Sequence, residues 1–367
     1  MKLDCKRKEL YEAVSMAAAG ASTRTSVNIL TYLKIDAKKD GVRIIGCDGE
    51  MWVERIVGCV VEKDGAICLP ARLLVDLLAS MPEGDVSLAT IDGQGVVLQQ
   101  GASEYRLQSL EPTDFPEPPA YTPEAEITIP MGELRKAVDS VSYAVSTDQH
   151  RQILTGVLLH YDGARLTLVA TDTHRLAVRK LDLPGSGAAV NAVIPDRALK
   201  AIKLLPVTDE HDVTIKFGAQ RVGVETAGAK VVSQLVDGTF PNWERVVPTE
   251  FTRTWSVERD QLEEKVNRAM ILARDNANRV RFKGESSQVV IAARSEEKGE
   301  AKEEVPIVGS NPEIEVAFNG RYVTDTLKAI EGPGVRIEMT EPMRPAIFRP
   351  ADDDDAYFCV IMPMQLA

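Results

Sequence analysis

The 367-residue sequence predicts an α+β fold built from three copies of one unit, each with two helices packed on antiparallel sheets. Three observations carry this expectation. First, Val193–Pro206 (VIPDRALKAIKLLP) has counterparts at Cys68–Pro82 (CLPARLLVDLLASMP) and Ala317–Gly332 (AFNGRYVTDTLKAIEG). In each, an apolar strand end meets Pro or Asn, and about ten residues of helical spacing then run to a Pro or Gly stop. Second, Arg72, Arg197 and Arg321 hold the same slot at intervals of about 125 residues. Third, 44% hydrophobic and 27% charged residues are the composition of a folded protein. A third of this chain, about 120 residues, is long enough to bury its own core.

In the first copy, Met1–Cys5 reads as a strand and Arg7–Ala19 as a helix with Leu10, Ala13, Val14 and Ala17 on one face. Strands follow near Ile29–Asp36 and Val42–Cys47; Asp48-Gly49 signals a hairpin, and Met51–Val61 returns. After a helix at Arg72–Ala79 come strands near Val86–Ile91, Val96–Gln100 and Tyr105–Leu110. Asp114-Phe115-Pro116 closes the copy, and EPPAYTPEA reads as an extended linker because prolines prevent helix. The second copy restarts with Ile127–Ile129 and a helix over Gly132–Val145. Strands Gly156–Tyr161 and Leu166–Ala170 reach a tip at Asp172, and Leu176–Leu181 returns. The helix Arg197–Leu205 and strands Val213–Phe217, Arg221–Glu225 and Lys230–Leu235 lead to the closing run Asp237-Gly238-Thr239-Phe240-Pro241. The third copy has Thr254–Val257, a helix Arg259–Ala273, strands Val280–Lys283 and Val289–Ala293, and a tip expanded into SEEKGEAKEE. A helix Arg321–Ile330 and strands Val335–Met339, Ala346–Arg349 and Phe358–Pro363 complete it. Domains are expected at 1–118, 126–248 and 254–367, each nearly two copies of a strand–helix–strand–strand motif.

Asp and Glu outnumber Lys and Arg by 55 to 43, a formal net charge of −12, which argues against coating nucleic acid with the whole surface. A basic lining on one face remains compatible. In the helix at Arg197, Ala198, Ala201, Ile202 and Leu205 share a side, with Arg197, Lys200 and Lys203 opposite at about 100° per residue. Arg321 and Lys328 share a side of the third copy's helix, and the first helices add Lys6, Arg7, Lys8, Arg135, Lys136 and Arg268. Taken singly, such faces are solvated. Repeated at one slot in an acidic chain, they fit helices lining a hole that contacts DNA phosphates without reading bases. A head-to-tail join between copy three of one chain and copy one of the next must close or polymerise, and two chains would close as a ring of six. An open array that binds peptides and never touches DNA is the alternative.

Cys5, Cys47, Cys59, Cys68 and Cys359 form no C-x-x-C pair and mostly sit in apolar strand contexts. Reduced, buried thiols in a cytosolic protein are expected, with no metal and no cofactor. The start, MKLDCKRKEL, has no apolar leader stretch, and no apolar run is long enough to span a membrane. The expectation is a cytoplasmic protein with no membrane partner.

Four stretches occur in order along the copies: ATDTHRLAV (Ala170–Val178), LVDGTFPNWERVVP (Leu235–Pro248), RAMILA (Arg268–Ala273) and VIMPMQL (Val360–Leu366). With them the whole chain resembles the beta subunit of bacterial DNA polymerase III, the sliding-clamp family. The resemblance implies three DNA-clamp domains per chain, closing as a head-to-tail homodimer into a six-domain ring around duplex DNA. Such a ring is a processivity factor without chemistry of its own. A clamp loader opens it, and it tethers replicative DNA polymerase and other proteins through short Leu/Phe-containing clamp-binding peptides.

By the same resemblance, those peptides would enter a pocket made by Leu154, Thr171, Thr173, His174, Arg175 and Leu176, by Pro241, Arg245, Val246 and Val247, and by Val360, Met362, Pro363 and Met364. Leu, Val, Pro and flexible Met suit an apolar groove that repacks for different ligands. Thr173 stands where the family usually has glycine, and Asn242-Trp243 where it has Asp-Tyr. A dimer seam would set Tyr105 and Leu107 against Ile271 and Leu272. The acidic segment Glu296, Glu297, Glu300, Glu303 and Glu304 would meet basic residues of the other chain's first copy, such as Arg106. DNA-facing positions would be Arg24, Arg72, Gln149, Arg151, Arg197, Lys200, Arg279 and Arg321, with Gln152-Ile153 in place of the family's aromatic pair. Asp172 and His174 are material for a hydrolase, but no nucleophile motif, phosphate loop or metal spacing accompanies them, so no catalytic residue is expected. The Asp352–Asp355 run lacks an EF-hand pattern and reads as a solvated loop.

Overall fold

The computed structural model describes every residue except 24, 92–94, 184, 186, 353–355 and 367. Each copy runs twice through a strand, a helix and three strands, not through strand–helix–strand–strand. The difference lies in the segments leading into the second helices. Gly65–Pro70, Val190–Pro195 and Glu315–Asn319 are complete strands, paired with Tyr32–Lys38, Gly156–Tyr161 and Arg279–Gly284. Among the described residues the six α-helices are α1 (Arg7–Ala18), α2 (Ala71–Ser80), α3 (Met131–Ser142), α4 (Asp196–Lys203), α5 (Arg259–Ala273) and α6 (Gly320–Ala329).

Compactness divides the chain differently from the repeat. One unit is Met1–Leu134 with Arg197–Leu235, the other Arg135–Asp196 with Val236–Ala367, so the division falls inside the second copy. The reason is visible in the sheets. In the first unit, an eight-stranded antiparallel sheet runs Ala125–Pro130, Asp212–Phe217, Arg221–Thr226, Ala229–Gln234, Met51–Val57, Gly41–Cys47, Tyr32–Lys38 and Gly65–Pro70. The second copy's last strand, Ala229–Gln234, thereby pairs with Met51–Val57 of the first, with Val231 opposite Val53 and Val232 opposite Trp52. A five-stranded sheet, Val60–Lys63, Lys2–Lys6, Asp85–Ile91, Gly95–Gln100 and Ser103–Gln108, packs with it. Leu10, Val14 and Ala17 of α1 and Leu74 and Leu78 of α2 share one core with Leu3, Val86 and Leu88 of the smaller sheet and Leu33, Ile35 and Ile44 of the larger. Each of the Leu, Ile and Val side chains among them contributes about 1.5–3 kcal/mol on leaving water. Gly46 is required here, because a Cβ would sit 2.0 Å from the Ala17 carbonyl oxygen at the end of α1.

The second unit repeats the plan. Its nine-stranded sheet runs Val190–Pro195, Gly156–Tyr161, Arg165–Thr171, Arg175–Asp182, Tyr357–Ile361, Ala346–Pro350, Gly334–Met339, Arg253–Glu258 and Val308–Ser310. Here the third copy's last strand, Tyr357–Ile361, pairs with Arg175–Asp182 of the second. A four-stranded sheet orders Gly299–Pro306, Gln288–Ser295, Arg279–Gly284 and Glu315–Asn319. Helix α5 is capped by the Glu258 carboxylate, which accepts from the Asp260 and Gln261 amides, and α6 by the Asn319 side chain, which accepts from Arg321 N–H.

Three further expectations are corrected. The strand read as Met51–Val61 breaks at Gly58-Cys59, and its two halves enter different sheets. SEEKGEAKEE is mostly ladder. Only Glu296–Lys298 turns, because Gly299 at φ 105° lets Gly299–Pro306 fold straight back on Gln288–Ser295. Helix α3 stops at Ser142, short of Val145. Of the Asp352–Asp355 run, Asp353–Asp355 lie outside the described residues.

Candidate functional site

The site is built on a hairpin tip. In the first copy, Asp48 Oδ1 accepts from the Glu50 and Met51 amides at 2.9 and 2.7 Å, and Gly49 supplies the left-handed turn at φ 99°. The second copy repeats this turn: Asp172 Oδ1 accepts from the His174 and Arg175 amides at 2.9 and 3.0 Å. Thr173 takes the glycine slot at φ 77°. A β-branched residue costs about 1–2 kcal/mol there. The turn holds it in place through Thr171 Oγ1, which accepts from Thr173 N–H, while Thr173 Oγ1 accepts from Arg151 Nη1 at 3.3 Å. Thr173→Gly is expected to change stability by less than about 1 kcal/mol, strain relief offsetting the entropy of glycine. Urea unfolding measures it.

Arg175 locks the tip from behind. Its guanidinium donates to Asp172 at 3.1 Å, to Asp325 of α6 at 2.8 Å and to the Tyr143 carbonyl. The rings of Tyr143 and Tyr322 flank it at 5.0 and 4.5 Å. Burial pushes the Tyr143 and Tyr357 hydroxyls up, so both stay neutral and hydrogen bond each other at 2.7 Å. Arg175→Ala leaves the Asp172 and Asp325 carboxylates without their counter-charge and the Tyr143 carbonyl without its donor, and a loss of about 3 kcal/mol in urea unfolding is expected.

Beside the tip lies a groove of about 200 Å³. Leu176 and Val360, opposite each other across the strand pair, line it with Leu154 from the 3₁₀ turn Gln149–Leu154. Thr171, Thr173 and Arg175 border the tip side; Pro241, Asn242, Trp243 and Val246 form the far wall, and Met362 the rim. Val246 and Met362 are 52% and 41% exposed. Beneath them Leu158, Val169, Val178 and Phe358 form a small apolar core.

Nine of the fourteen residues expected for the pocket line this groove. His174 does not: it is exposed, its ring stacks on Tyr322 at 6.4 Å, and only its carbonyl joins the rim by accepting from Met362 N–H. Arg245 and Pro363 flank the groove without lining it, Val247 packs on the core below, and Met364 pairs with Ala317. Asn242 and Trp243, expected only as departures from the family pattern, line the groove as well, and no local spacing signals it. The Asp172 carboxylate is occupied by backbone amides and Arg175, so its geometry offers no base to His174.

The other expected residues occupy several elements. Arg24 lies outside the described residues. Arg72 on α2 is 96% exposed, and Lys200 and Arg321 stand on the open sides of α4 and α6. Gln149 and Arg151 sit on the 3₁₀ turn, where Arg151 approaches Asp148 at 3.7 Å. Arg197 is less open than its slot suggests, since its guanidinium donates to Asp48 and to the Ala19 and Ala21 carbonyls. Arg279 is half-buried in a polar cavity of about 620 Å³ with Arg281 and Arg294 facing Asp275, Glu296 and Glu297. On the expected seam, Leu107 is buried and Tyr105 half-buried, whereas Ile271 on α5 is 57% exposed and Leu272 half-buried. Glu300 pairs with Arg294 at 3.4 Å and Glu304 with Lys302 at 2.8 Å. Glu303 turns toward its own α5, bound to Lys265 at 2.8 Å and Arg268 at 3.4 Å.

Three family profiles match the chain end to end. They are the N-terminal, central and C-terminal domains of the DNA polymerase III beta subunit, over residues 1–119, 128–242 and 244–365. The chain belongs to the DNA polymerase III beta subunit family. A beta sliding clamp of Staphylococcus aureus is 31% identical over 366 residues, 96% of this chain and 97% of that one. The sliding clamp of Bacillus subtilis superposes over 100% of both chains with TM-score 0.89 at 27% identity. So does a Pseudomonas aeruginosa DNA polymerase III beta subunit bound to griselimycin, with TM-score 0.88 at 28% identity. The beta-subunit fold therefore comprises three clamp domains of mixed α+β structure, and its members are non-catalytic.

Proposed function

We propose that the chain is a processivity factor: a head-to-tail homodimer that encircles duplex DNA and tethers replicative polymerase, clamp loader and other partners by peptides seated in the groove. One repeated pairing carries the reading. At both joins inside the chain, the last strand of a copy pairs with the strand that follows the preceding copy's hairpin tip, Ala229–Gln234 with Met51–Val57 and Tyr357–Ile361 with Arg175–Asp182. Two such slots remain, the last strand of copy one (Ser103–Gln108) and the post-tip strand of copy three (Gly299–Pro306). Both are sheet edges.

A second chain would fill each slot with the other, and because two chains carry two such joins the assembly closes. Bare edges of this kind otherwise invite uncontrolled pairing. The tips support the same arrangement. The first tip is held by Arg197 of the second copy's α4, the second through Arg175 by the third copy's α6. By that rule, the third tip with Glu296 and Glu297 would meet exposed Arg72 of another chain's α2, which moves Arg72 from the DNA-facing set to the seam. Arg151, Lys200 and Arg321 remain candidates to face phosphates, each contact weak because topology holds the ring on its track.

Retention on DNA tests this. After loading on nicked circular DNA, the protein is expected to stay bound and to be lost once the circle is cut. Equal retention on linear DNA with open ends would overturn encirclement.

A further inference from the structure

The sequence places Cys5 and Cys59 far apart and with no motif, yet the fold brings their sulfurs into contact at 2.7 Å. The register explains it. Lys2–Lys6 pairs antiparallel with Val60–Lys63, Leu3 opposite Val61 and Asp4 opposite Val60, so Cys5 and Cys59 come next as direct cross-strand neighbours. Directly opposed residues have Cα atoms about 4.5–5.5 Å apart, inside the range a disulfide spans. Cys5 is 5% exposed, while Cys59, after the exposed Gly58, is half-exposed.

We propose that Cys5 and Cys59 form a reversible disulfide when the protein meets a small peroxide. The half-exposed Cys59 sulfur attacks one oxygen of hydrogen peroxide, the O–O bond breaks, and one water leaves a sulfenic acid. Cys5 then attacks the Cys59 sulfur and expels the second water; two thiol protons and two electrons have passed to the peroxide. Access sets the order, Cys59 being the more exposed sulfur; Cys5, held below its ordinary value by accepting the Cys59 S–H, supplies the thiolate that closes the bond. The other thiols are poor competitors. Cys47, Cys68 and Cys359 are all buried, out of a peroxide's reach. The bond would tie the first strand to the break that parts the two sheets.

The test treats the full-length protein with hydrogen peroxide, then counts thiols after denaturation and maps peptides by mass. Loss of two of the five thiols, one cross-linked peptide pair holding Cys5 and Cys59, reversal by dithiothreitol and a rise in Tm of about 5–10 °C are expected. Cys59→Ser, at a half-exposed site that tolerates the change, should keep its fold and lose the cross-link and the Tm rise together. Over-oxidation of Cys59 to sulfinic acid without a cross-link, or five intact thiols after treatment, would overturn the proposal.

Discussion

Met362→Asp is expected to weaken binding of a Leu/Phe-containing peptide by at least about 100-fold, close to 2.7 kcal/mol. The residue stands on the groove rim, 41% exposed, above walls made by Leu154, Leu176, Val246 and Val360. A bound apolar side chain would cover it. A carboxylate there would then lose water without gaining a partner, a penalty of several kcal/mol beyond the lost contact. Because the side chain already meets solvent in the free protein, the melting temperature should move little. Peptide anisotropy measures the first quantity and a thermal melt the second; unchanged affinity would place the peptide elsewhere.

If the chain pairs head to tail as proposed, Ile271→Asp is expected to leave monomers at micromolar concentration. Ile271 is 57% exposed on α5, in the same copy as the free edge Gly299–Pro306. Burying such a side chain against another chain contributes about 2 kcal/mol, and a carboxylate in its place costs more. A ring closed by two identical seams counts each loss twice. A penalty of about 2–3 kcal/mol per seam therefore becomes about 4–6 per dimer, a 10³–10⁴-fold weaker association. Light scattering across a dilution series reads the mass directly. An unchanged dimer would mean that the chains meet through another surface.

The helices were legible because their apolar faces repeat at one offset, and α5 spans the predicted Arg259–Ala273. Asp48-Gly49 and Asp172 were legible as tips because a short carboxylate capping two amides is a local device. What escaped was long-range. Nothing near Arg175 announces Asp325 or Tyr322, and nothing near Cys5 announces Cys59. The acidic run in the third copy looked like a loop because alternating Glu and Lys resemble a solvated tail. On an edge strand the same alternation sets Lys302 beside Glu304 and turns Glu303 toward α5. In the groove, Leu154, Leu176, Val360 and Met362 came from family resemblance and not from periodicity. Residues from four separate segments share no spacing that a single sequence could reveal.

The strand pairings that cross from one copy to the next also decide how damage spreads. A substitution that loosens Ala229–Gln234 strips a neighbour from Met51–Val57, although Val231 and its partner Val53 lie 178 positions apart in the chain. Injury in the middle copy is thus inherited by the copies on either side. Each compact unit is about one and a half repeats long, and tolerance to mutation is expected to follow the sheets, not the gene's internal duplications.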